Sequence, residues 1–77
     1  MKIVATIEAR MTSSRLPGKV LMKVLGKPIL YYLVERLKQV SLLDDIVLAT
    51  TTNSDDDSLV KFANNEGIQS YRGSEDD

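Results

Sequence analysis

Ile3-Val4-Ala5-Thr6-Ile7 and Ile46-Val47-Leu48-Ala49-Thr50 decide the fold. Both are short apolar runs with no polar alternation, the pattern of strands buried on both faces in a parallel sheet. Between them, residues 8–27 read as a long loop rich in turn-formers, with a short helical or extended insertion around Val20–Val24. Pro28 then opens a helix, where its missing N–H costs nothing. Ile29, Leu30, Leu33, Leu37 and Val40 recur at helical spacing and predict the buried face, with Glu35, Arg36, Lys38 and Gln39 opposite. After the second run, Asn53 or Ser54 is placed to cap another helix. Asp55, Asp56 and Asp57 fill its first turn, where the positive end of the helix dipole favours carboxylates. Asp57 also stands four residues before Lys61, a helix-stabilising pair. Leu59, Val60, Phe62 and Ala63 form that helix's apolar side, and Gly67 is placed to end it. Ile68-Gln69-Ser70-Tyr71-Arg72 reads as a third strand and Gly73–Asp77 as a polar loop. The order β-loop-α-β-α-β joins parallel strands through crossover helices.

This is the first half of a three-layer α/β sheet, a single partial domain over residues 1–77. The first strand of such a sheet is normally central, yet no segment here can pair with its far side. Self-association through that edge, or continuation into a longer domain, is therefore expected.

Charge is divided unevenly along the chain. Residues 1–40 carry eight basic side chains against two acids, and residues 41–77 carry two against nine, so a formal net charge of −1 describes neither half. The absence of Cys and His removes disulfides, thiolate nucleophiles, the commonest metal ligand and the usual general base. No apolar run is long enough to cross a bilayer, and the start lacks a signal-peptide h-region, so a soluble, cytoplasmic chain is expected.

The chemistry concentrates in Glu8-Ala9-Arg10-Met11-Thr12-Ser13-Ser14-Arg15-Leu16-Pro17-Gly18-Lys19, directly after the first strand. Open α/β sheets bind ligands at the carboxyl ends of their strands. Arg10 and Arg15 offer bidentate forks for phosphate oxygens, Lys19 a point charge, and Ser13 a hydroxyl. Ser14 faces solvent in this reading, and Lys23 and Lys27 contribute general positive field. The loop is neither a Walker A motif nor a dinucleotide fingerprint: Gly18-Lys19 is followed by Val20, and no G-x-G-x-x-G occurs.

Ala9-Arg10-x-x-Ser13-x-Arg15-Leu16-Pro17-Gly18-Lys19 resembles the signature loop of the cytidylyltransferases that make CMP-activated sugars. These include the CMP-Kdo synthetases, the acylneuraminate cytidylyltransferases and, nearest in wording, the spore-coat polysaccharide biosynthesis protein F-like group. The similarity continues through Gly26-Lys27-Pro28, Ile46-Val47-Leu48-Ala49-Thr50-Thr51 and Arg72-Gly73-Ser74. It implies the N-terminal half of a nucleotide-diphospho-sugar transferase-like, Rossmann-like sheet. It also implies CTP and a sugar as substrates, with a sugar hydroxyl attacking the α-phosphate and pyrophosphate leaving. Ala9 and Arg10 would lie near the cytosine and phosphates. Ser13, Arg15 and Lys19 would line the triphosphate, and Arg15 and Lys19 would act catalytically by neutralising charge on the leaving group. Thr50 and Thr51 would wall the base pocket. Mg²⁺ is expected from the family, with its aspartate ligands beyond position 77, so binding without catalysis is expected of these residues alone. Glu8 stands where relatives carry Gln or Pro, either repelling phosphate or holding Arg10 or Lys19.

A different class of protein competes with that reading: a non-catalytic nucleotide- or anion-binding half-domain that self-associates. Nucleic-acid binding fares poorly, because the basic residues form one loop without interleaved aromatics. Asp55–Asp57 is explained by helix capping better than by a metal. Tyr31 and Tyr32 are expected to pack in the core rather than stack on a base.

Overall fold

Three parallel strands and two helices follow from the periodicities above. The computed structural model describes residues 2–11 and 21–74. Strand β1 (Val4–Glu8) is followed by a two-stranded hairpin, β2 (Lys23–Val24) and β3 (Lys27–Pro28), then helix α1 (Ile29–Lys38) and strand β4 (Asp45–Thr51). A short 3-10 turn (Ser54–Asp56) leads into helix α2 (Asp57–Glu66), and strand β5 (Gln69–Gly73) completes the sheet. The strand order is β1-β4-β5, all parallel, with Ile7 opposite Leu48 and Ala49 opposite Tyr71.

One core cluster joins Ile7, Ile46 and Leu48 of the sheet to Leu30 and Val34 of α1 and to Leu59, Phe62 and Ala63 of α2. Both helices therefore cover the same sheet face. The second face is open among the described residues: β4 alternates buried and half-buried residues, and Val4 and Thr6 are exposed. Among the described residues, one helix layer and the sheet are present, and β1 is an edge strand. The apolar run is continuous in sequence because Val4, Val47 and Ala49 occupy the other face, which nothing among the described residues covers.

Helix α1 presents a different stripe from the one its spacing suggested. Leu30 and Val34 are buried and Leu37 packs against them, whereas Ile29, Leu33 and Val40 are exposed. The stripe is rotated because the hairpin occupies one flank of α1. The Tyr32 hydroxyl donates to the Val24 carbonyl at 2.6 Å, and Lys27 Nζ lies 5.1 Å above the Tyr31 ring. Tyr31 packs against the core as expected; Tyr32 stays at the surface as a hairpin tie. The hairpin turns on Leu25 and Gly26, both at positive φ (54° and 85°), which matches the strand twist but strains the non-glycine residue. Pro28 is the extended residue preceding α1 and pairs with Lys23, so the helix proper starts at Ile29.

At the far end of the sequence, Asn53 caps the 3-10 turn by accepting from the Asp55 amide at 2.8 Å, and Gly67 closes α2 at φ 73°. The two helices are tied at their carboxyl ends by Lys38, whose Nζ donates to the Glu66 carbonyl at 2.8 Å.

Candidate functional site

Parallel pairing brings the carboxyl ends of β1, β4 and β5 to one edge of the sheet. Glu8, Ala9 and Arg10 leave β1 there, Thr50 and Thr51 end β4, and Gly73 ends β5. Ala9 is buried, and its N–H donates to the Ala49 carbonyl at 3.1 Å, one step beyond the strand. Arg10 is exposed, with no ion pair or hydrogen bond among the described residues. Glu8 is exposed beside it, and no ion pair joins the two among the described residues. Ser13, Arg15 and Lys19, read as triphosphate contacts, lie outside the described residues, and so does Ser14.

Thr50 and Thr51 are both buried. The Thr51 hydroxyl donates to the Asp56 carboxylate and accepts the Asn53 N–H at 3.1 Å, so it is committed inside the protein. Thr50 Oγ1 makes no hydrogen bond of good geometry among the described residues, although it lies close enough to Asp56 to favour the charged carboxylate.

Asp56 is the residue whose role sequence reasoning missed. It stands with Asp55 and Asp57 at the start of the helix, where capping and the helix dipole account for all three in the sequence reading, yet its side chain is fully buried. Its Oδ1 accepts the Met11 N–H at 2.7 Å, across 45 positions of sequence, and its Oδ2 accepts the Thr51 hydroxyl. Burial pushes this carboxyl up, but hydrogen bonds from Thr51 and the Met11 amide, aided by the nearby Thr50 hydroxyl, outweigh it and hold the group below its ordinary value. A signal was present: stepping back three from Leu59 on the inward stripe of α2 reaches Asp56.

The two other acids of the run face outward. Asp57 pairs with Arg72 at 2.8 Å rather than with Lys61. Arg72 also donates through Nε to the Thr51 carbonyl at 2.7 Å and through Nη2 to the Asn53 carbonyl at 2.8 Å. All three contacts are intramolecular, so this guanidinium clasps β5 to the end of β4, and Arg10 is the cation at this edge open to a ligand among the described residues. Fitness for Mg²⁺ is a matter of these acids. Asp56 spends its oxygens on N–H and O–H donors and Asp57 pairs with a cation, and no three acidic side chains converge among the described residues.

A cleft of about 350 Å³ lined by Leu37, Leu43, Asp44, Ile46 and Ile68 sits at the amino ends of β4 and β5. It belongs to the other end of the sheet. No helix among the described residues is long and apolar enough to cross a membrane.

Three parallel strands under two helices, with their carboxyl ends gathered at one edge, define an open Rossmann-like α/β architecture. The cytidylyltransferase family profile matches residues 4–76, and the chain belongs to that family. It is 47% identical to an uncharacterized protein of Methanocaldococcus jannaschii, over 100% of this chain and 32% of the other. It is 38% identical to the spore coat polysaccharide biosynthesis protein SpsF of Bacillus subtilis, over 96% of this chain and 32% of that protein. Among solved structures, a cytidylyltransferase from Leptospira borgpetersenii superposes with a TM-score of 0.86 at 36% identity, covering 96% of this chain and 32% of that one. A CMP:2-keto-3-deoxy-manno-octonic acid synthetase complexed with CTP gives 0.77 at 32% identity, over 100% and 30%. The Rossmann-like fold and the family resemblance are borne out, and the chain spans about a third of the length of these relatives.

Proposed function

We propose that this chain binds CTP and contributes the triphosphate-gripping part of a cytidylyltransferase that activates a sugar as its CMP derivative for polysaccharide biosynthesis in the cytoplasm. The observation that carries the reading is Arg10, unpaired among the described residues and exposed where β1 leaves the sheet, inside a family match that covers residues 4–76. Arg10 would meet phosphate oxygens through its fork, and Ser13, Arg15 and Lys19 would complete the cradle. Their positive charge would stabilise the pyrophosphate that leaves when a sugar hydroxyl attacks the α-phosphate. Mg²⁺, which supplies charge neutralisation at the phosphates when bound, belongs to the proposal as a family expectation. Its ligands are not assigned to Asp56 or Asp57, and binding without turnover is the activity proposed for these residues alone.

Calorimetric titration with CTP, on the protein and on Arg10→Ala, Arg15→Ala and Lys19→Ala, tests the cradle. Each variant is expected to weaken binding by about tenfold or more, the value of one charge-assisted hydrogen bond. Unchanged affinity in all three would remove the assignment.

A second reading, a self-associating half-domain, is favoured by one observation: β1 is an edge strand, and the sheet face bearing Val4, Val47 and Tyr71 is uncovered among the described residues. Light scattering decides it, since a folded monomer at high concentration excludes obligate association.

A further inference from the structure

We propose that Asp56 is a positioning residue for the nucleotide loop: its buried carboxylate grips the Met11 amide and the Thr51 hydroxyl, and so fixes where Arg10 leaves the sheet. The inference rests on the CTP-binding reading above.

The ordinary reason for an Asp at the start of a helix does not apply to this one. Asp56 stands at the N-cap position of α2 but makes no side-chain capping bond, and Asn53 already caps the preceding turn. Burying a carboxylate is costly unless its acceptor sites are filled. Here they are filled by a backbone amide from the loop after β1 and by the last side chain of β4. The carboxylate therefore links the exits of two neighbouring strands, at the edge where the ligand would sit.

The consequence falls on Arg10. On its amino side the Ala9 N–H is bonded to the Ala49 carbonyl at 3.1 Å, and on its carboxyl side the Met11 N–H is bonded to Asp56 at 2.7 Å. The Arg10–Met11 peptide plane is thus held directly, and planarity transmits that constraint to the Arg10 Cα, while the Glu8–Ala9 plane one residue earlier is anchored to β4. Its side chain remains exposed and free to meet an anion. Holding a binding group in place before the ligand arrives removes ordering cost from the binding step. The carboxylate acts through the main chain and touches no phosphate in this scheme. Its negative charge is partly offset by its two donors, the Met11 N–H and the Thr51 hydroxyl.

The test compares the wild-type protein with Asp56→Ala, Asp56→Asn and a semisynthetic form in which an ester replaces the Arg10–Met11 amide, deleting one N–H and no side chain. Two quantities are read: amide exchange by NMR, and affinity for CTP and for inorganic triphosphate by calorimetry. The Met11 amide is expected to exchange slowly in the wild type and rapidly in Asp56→Ala. Affinity is expected to fall about tenfold or more in Asp56→Ala and in the ester, at unchanged protection of the Leu48 amide. Asparagine can accept from Met11 through Oδ1 and donate to Thr51 through Nδ2, so Asp56→Asn should stay within about threefold of wild type. Should Asp56→Ala fail to fold, the ester and Asp56→Asn decide the matter. The proposal is overturned by an unprotected Met11 amide in the wild type, by an ester that binds as the wild type does, or by an Asp56→Asn that keeps Met11 protected yet binds as poorly as the ester. A wild type that binds neither phosphate ligand refutes the CTP reading instead, and Met11 exchange in Asp56→Ala then judges the grip alone, with lost protection supporting it and retained protection overturning it.

Discussion

Replacing Arg72 by alanine separates two kinds of interaction that one guanidinium makes. Two of its hydrogen bonds go to main-chain carbonyls, Thr51 at 2.7 Å and Asn53 at 2.8 Å, and the third goes to Asp57, whose side chain is 68% exposed. A bond from a charged donor to a partly buried carbonyl is worth about 1–1.5 kcal/mol net when the donor is itself partly solvated. An exposed ion pair is worth less than about 1 kcal/mol, and salt weakens it further. Arg72→Ala should therefore cost about 2–3 kcal/mol, out of a total stability on the order of 4–12 kcal/mol for a chain this long. The corresponding fall in melting temperature is on the order of 10–20 °C. Asp57→Ala, which leaves both carbonyl bonds in place, should cost less than about 1 kcal/mol even with its helix-dipole term. Urea denaturation of the two variants at low and high salt provides the comparison. Equal losses in both variants, or a loss in Arg72→Ala that 0.5 M salt abolishes, would refute the claim that Arg72 acts as a main-chain clasp.

Other expectations follow from single residues. Leu25 is 93% exposed at φ 54°, so Leu25→Asn should raise stability by up to about 1 kcal/mol, read from the urea midpoint. Asp56 has its folded carboxyl below the ordinary value of 3.8, so its contribution is complete above that value and is lost as pH falls through the folded one. Urea midpoints measured from neutral to acid pH should fall in that acid window for the wild type and fall less steeply for Asp56→Asn.

Local chemistry made the strands, the Asn53 cap and the Gly67 stop readable from residue types alone, because each depends on neighbours within a few positions. The burial of the strands was not readable in the same way. An unbroken run such as Val47-Leu48-Ala49 shows that both faces tolerate apolar side chains, but not whether anything covers the second face. In helix α1 Leu33 and Val34 are adjacent apolar residues, and which of them turns inward depends on the hairpin beside the helix, whose strands are two residues each and carry little pattern of their own. Asp56 and Arg72 were missed for a related reason. Their partners, Met11 and Thr51, stand 45 and 21 positions away, and a run of three acids is satisfied equally well by a helix dipole when only near neighbours are considered. Within the candidate site, the identities of Arg10, Ser13, Arg15 and Lys19 came from their chemistry in sequence. The structure adds the bracketing of Arg10 and the internal commitment of Thr51.

The central claim is that the loop after β1 receives a cytidine triphosphate. Its most direct measurement is a parallel calorimetric titration of the protein with CTP, UTP, ATP and GTP in the presence of Mg²⁺. Tightest binding of CTP, lost together with inorganic triphosphate binding in Arg10→Ala, is the predicted result; equal affinity for all four nucleotides, or preference for a purine, would contradict it.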